Sequence, residues 1–116
     1  MHVVFLSAVV PPDGTKRSER RGRASHAVQS SWTVDQVIDD SGALLTETVD
    51  LTGLQTDVPR TYVRLTNDVC YPPELQENSA RIVCAETVPG DIVFMDSGHM
   101  AMVTIPDQVA ALLNSQ

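Results

Sequence analysis

Five basic side chains, Lys16, Arg17, Arg20, Arg21 and Arg23, crowd into eight consecutive residues with Glu19 as the one acid among them. Guanidinium forks pair bidentately with carboxylate and with phosphate. The segment therefore offers two kinds of chemistry: contact with the acidic surface of a neighbouring protein, or sequence-independent contact with nucleic-acid phosphate. The other residues hold three basic and 14 acidic groups, within a formal net charge of −7. A positive segment on a negative body is a charge dipole, attracted to copies of itself as well as to phosphate. The body repels nucleic acid everywhere except at that segment, and no aromatic side chain is interleaved there to stack on unpaired bases.

A second set of reactive residues is scattered: Asp96, Cys70, Cys84, His2, His26 and His99. The apolar run Ile92-Val93-Phe94-Met95 followed by Asp96-Ser97-Gly98 resembles the active-site motif of the retroviral and retrotransposon aspartic proteases. The resemblance implies that Asp96 is one of two carboxylates, one per subunit, sharing a proton around an activated water. It covers about seven residues. Eighteen residues follow Gly98, and His99 stands where a small residue is usual. A turn between two strands, shaped by Asp96, ranks above the protease, which is kept as a distant third function.

Pro89-Gly90-Asp91-Ile92-Val93-Phe94 followed by a histidine resembles the strand pair of small papain-like cell-wall hydrolases, which implies Cys70 or Cys84 as nucleophile and His99 as base. In that family the cysteine opens a helix. Neither cysteine precedes a helical pattern here, and Cys84 falls in an expected strand, where a thiolate lacks the dipole or cation that lowers its pKa. The three histidines are far apart in the chain, and the cysteines lack Cys-x-x-Cys spacing, so neither a metal site nor a cofactor is expected. Both cysteines read as free thiols of a reducing compartment.

The elements that must position these residues are short. A chain of 116 residues with 42% hydrophobic content suits one domain, 1–116, with a basic loop at 11–26. Segments rich in Val, Ile and Thr recur between turn signals, which predicts an all-β sandwich or barrel of about seven strands with a short C-terminal helix. Residues 2–10 are apolar on both alternating faces and suit a strand covered on both sides. Residues 32–39 and 43–51 predict two strands joined by a turn at Asp39-Asp40-Ser41-Gly42. A fourth strand is expected at 61–66, followed by a long excursion around Pro72-Pro73. Residues 80–86, 92–96 and 100–105 read as a three-stranded meander. Pro106 then opens a helix over 107–113, with Val109, Leu112 and Leu113 forming one apolar stripe.

No apolar run approaches the length of a membrane span, and the amino-terminal stretch lacks the positive region of a secretory signal. A cytoplasmic or virion location is expected, with no membrane contact. The expected function is non-enzymatic: a structural subunit of a multi-copy assembly such as a capsid, decoration or tail protein. Its Lys16, Arg17, Arg20, Arg21 and Arg23 would meet the acidic surface of another copy or of a partner. The alternative is a small regulatory or nucleic-acid-associated binder using the same five residues on phosphate.

Overall fold

The computed structural model describes residues 1–8, 10, 14, 46–54, 57–84 and 90–116. Three strands, β1 (Val3–Leu6), β2 (Arg60–Leu65) and β3 (Gly90–Met95), form one sheet in the order β1-β2-β3. Both pairs are parallel; Phe5 lies beside Tyr62, and Tyr62 beside Ile92. Helix α1 (Pro73–Val83) carries the chain from β2 to β3, and α2 (Ala101–Thr104) and α3 (Pro106–Asn114) follow β3. A 3-10 turn spans Thr52–Leu54. The expected all-β sandwich or barrel of about seven strands is therefore wrong: the described residues form a small parallel sheet with helices.

One face of the sheet is packed against the C-terminal helices, and the other is covered over β1 and β2 but leaves Ile92 and Phe94 of β3 exposed. Val4, Leu6, Val63, Leu65 and Met95 pack with Ala101, Ile105, Val109 and Leu112 on one side. Phe5 and Tyr62 pack with Val10, Ala80, Ile82 and Val83 on the other. Strands buried on both faces read as continuous apolar runs, and parallel strands need a crossover that covers the sheet. The apolar character of both faces of residues 2–10 has this cause.

The largest departure from expectation lies at α1. Pro73 suits the first helical turn because its missing N–H has no intrahelical partner there. Glu74 and Arg81 stand at the ends that the helix dipole favours, and Glu77 pairs with Arg81 one turn on. The buried positions are Gln76, Ser79, Ala80 and Val83, the i, i+3, i+4, i+7 stripe of a helix. Two of the four are polar, so the stripe does not register as a hydrophobic period.

The expected strand over 80–86 is thus the last turn of α1 as far as Val83. The expected strand over 100–105 is α2, in which Ala101 is buried and Met102 and Val103 are exposed. Only β3 survives of the three-stranded meander. The helix after Pro106 is present; Val109 and Leu112 face the core, while Leu113 points to solvent. The expected strand over 32–39 and the turn at 39–42 lie outside the described residues. The described part of the expected strand over 43–51, residues 46–51, holds no strand element. No described helix is long and apolar enough to cross a membrane.

Candidate active site

Because β1, β2 and β3 run in one direction, the loops leaving their carboxyl ends gather at one edge. Backbone pairing continues past the strand ends and locks these loops together. Ser7 N–H donates to Val63 O at 3.0 Å, Thr66 N–H to Met95 O at 3.0 Å, and Asn67 N–H to Ser97 O at 3.1 Å.

Asp68, on the loop after β2, is the centre of the edge. Its Oδ1 accepts the backbone N–H of Cys70 and of Tyr71, each at 2.9 Å. Its Oδ2 accepts the Ser7 hydroxyl at 2.8 Å and meets His99 Nδ1 at 2.8 Å. The Asp68 side chain has no solvent exposure, whereas that of His99 is 43% exposed. Burial alone pushes the Asp68 carboxyl up, but the hydrogen bonds from His99, Tyr71 and Ser7 and the His99 charge together hold it below its ordinary value. An ionised carboxylate only accepts, so the proton of this contact sits on Nδ1, and in the neutral tautomer so fixed Nε2 is the acceptor nitrogen. Among the described residues, none hydrogen-bonds Nε2.

The loop that carries Asp68 is braced from behind. Gln76 of α1, fully buried, accepts Leu65 N–H at 2.7 Å and donates to Leu65 O at 2.9 Å and to Tyr71 O at 2.8 Å. The Tyr71 hydroxyl meets Ser79 Oγ at 2.6 Å, and Ser79 Oγ is bonded to both Val10 N–H and Val10 O. The polar stripe of α1 thereby ties the end of β2 and the segment after β1 to one helix.

Of the residues singled out from sequence, His99 is in this pair, Asp96 and Cys70 lie at the same edge, and Cys84 and His2 lie at the other end of the strands. Asp96 lies at the same edge but is exposed, and its Oδ1 accepts from Asn67 Nδ2 and Thr66 Oγ1. Asp96-Ser97-Gly98 links β3 to α2 rather than turning between two strands, and Ser97 Oγ meets Thr104 Oγ1 at 2.7 Å. Cys84 caps the carboxyl end of α1, with its Sγ 3.5 Å from Asp91 O near the start of β3. It therefore stands at the opposite end of β3 from His99, and burial pushes its thiol up.

Cys70 is on the Asp68 loop, three residues before α1, so a helix does follow it. His2 Nε2 meets Thr61 Oγ1 at 3.0 Å, beside the amino ends of the strands. His26 lies outside the described residues, as do Lys16, Arg17, Arg20, Arg21 and Arg23. Among the described residues, no cluster of His, Cys, Asp and Glu fits a metal ion.

The sequence marks His99 as a candidate base, but beside a cysteine, and no motif in it marks Asp68. The available signal was positional: Asp68 stands three residues past the end of one strand, and His99 four past the end of the next. No family model matches the chain, and no curated protein matches it.

Proposed function

We propose that Asp68 and His99 are the orienting carboxylate and the general base of a hydrolytic site acting on a carboxylic ester. The observation that carries this reading is the 2.8 Å contact between a fully buried carboxylate and Nδ1 of a half-exposed imidazole, at the carboxyl ends of adjacent parallel strands. Held by four donors, Asp68 fixes the ring tautomer and stabilises the imidazolium that forms when Nε2 takes a proton. Nε2 is the ring nitrogen that does not meet Asp68, on a side chain that is 43% exposed.

In the reaction, Nε2 removes a proton from an attacking water as its oxygen bonds to the acyl carbon. The acyl carbon's bond to the leaving oxygen then breaks, and the proton passes from Nε2 to that oxygen. Acid before histidine, on loops leaving successive parallel strands, is also the order at α/β-hydrolase sites, where a nucleophilic serine precedes both. Ser7 does not fill that role, since it is buried and its hydroxyl is given to Asp68. In this reading the nucleophile is water.

The test is hydrolysis of p-nitrophenyl acetate by the purified chain. The expected rate rises with pH through a single imidazole ionisation, is lost in His99→Ala and drops about 100-fold in Asp68→Asn. Equal rates for the wild type and His99→Ala would sink the proposal. The separate reading of the chain as an assembly subunit or phosphate binder rests on the Lys16 to Arg23 segment alone, and no described residue adds to it.

A further inference from the structure

We infer that Ser7 is a positioning residue that sets how tightly Asp68 holds the His99 proton, an inference that rests on the hydrolytic reading of the pair. Among the described residues Ser7 is the one non-glycine with a positive φ, 43°. Side chains disfavour that region because Cβ crowds the backbone, so something must hold the residue there. Its N–H is held by Val63 O at 3.0 Å and its hydroxyl by Asp68 Oδ2 at 2.8 Å. The conformation turns a side chain at the end of β1, with 3% exposure, onto the same carboxylate oxygen that meets His99.

Two donors on one oxygen compete for its charge. The Ser7 hydroxyl draws charge from Oδ2 and so weakens the attraction of Asp68 for imidazolium. Without the hydroxyl, imidazolium is favoured and the His99 midpoint rises. The other titratable groups nearby do not obscure this effect. Burial pushes the Tyr62 hydroxyl up, Cys70 and Tyr71 meet Asp68 through backbone N–H, and Asp96 bonds Thr66 and Asn67 instead.

The experiment is an NMR titration of the His99 ring protons in the wild type, Ser7→Ala and Ser7→Gly, with His2 as internal control. Ser7→Gly suits the positive φ and protects the measurement against a folding failure of Ser7→Ala. Both variants are expected to raise the His99 midpoint by about half a unit to one unit, leave His2 unmoved and shift the acid limb of ester hydrolysis upward equally. An unchanged midpoint in both overturns the inference. So does a shift in Ser7→Ala that is absent in Ser7→Gly, because backbone strain would then be the cause. If both midpoints rise while the wild type hydrolyses no ester, the coupling of Ser7 to the pair stands and the hydrolytic role falls.

Discussion

Two aspartates leave adjacent strands at the same edge of this sheet, Asp68 after β2 and Asp96 after β3, and their surroundings divide them. Asp68 is sealed from solvent and collects two backbone N–H groups, a hydroxyl and an imidazole. Asp96 stays exposed and accepts from two side chains of the neighbouring loop. A buried carboxylate must have its lone pairs satisfied or the fold loses several kcal/mol, so its partners are chosen by the structure. An exposed one is served by water, and its protein contacts contribute little. The carboxylate in the more recognisable triplet is therefore the one with less to do.

The sharpest break in this comparison is Asp68→Ala. It removes the carboxylate that the Cys70 and Tyr71 N–H groups, the Ser7 hydroxyl and His99 share, and is expected to cost about 3 to 5 kcal/mol. Denaturant unfolding monitored by circular dichroism measures it; a loss below about 1 kcal/mol would place Asp68 in the same class as Asp96. Next in size is Gln76→Leu, which removes three buried hydrogen bonds behind the Asp68 loop and should cost about 2 to 4 kcal/mol by the same measurement. Ester hydrolysis should fall with it, because the loop that aims Asp68 loses its brace.

Acid separates the two aspartates without a truncation. The carboxyl of Asp68 is lower in the folded chain than its ordinary value. Its contribution to stability is therefore complete above the ordinary aspartate value and is lost as pH falls through the folded value, below about pH 4. Wild-type stability should decline more steeply over that range than Asp68→Asn, in unfolding curves taken at stepped pH. Parallel declines would contradict the assigned hydrogen bonds.

His99→Ala is expected to abolish hydrolysis at a stability cost of only about 1 kcal/mol, since the ring is half exposed. A cost comparable to that of Asp68→Ala would make the contact structural rather than chemical. The smallest effect belongs to Asp96→Asn, where asparagine still accepts from Thr66 and Asn67. Stability is expected to move by less than about 0.5 kcal/mol with hydrolysis preserved, and loss of hydrolysis there would restore Asp96 to the site.

Local pattern was enough to place several elements. The runs at 61–66 and 92–96 contain strands because Val, Ile, Tyr and Phe suit a pleated backbone, buried in β2 but with Ile92 and Phe94 exposed in β3. Pro106 and the spacing of Val109 and Leu112 make a helix. The same pattern failed at α1, where Gln76 and Ser79 are buried as hydrogen-bonding braces, and hydrophobic periodicity detects buried positions only when they are apolar. Strand direction was also hidden: a run apolar on both faces signals double coverage, but which strand lies beside it depends on contacts far along the chain. The meeting of Asp68 with His99, 31 residues apart, and with Ser7, 61 residues away, exists only after the three parallel strands bring their carboxyl ends together. No spacing within a single segment encodes that meeting, because the sheet register sets it, and the burial that gives Asp68 its role comes from elements packed around it.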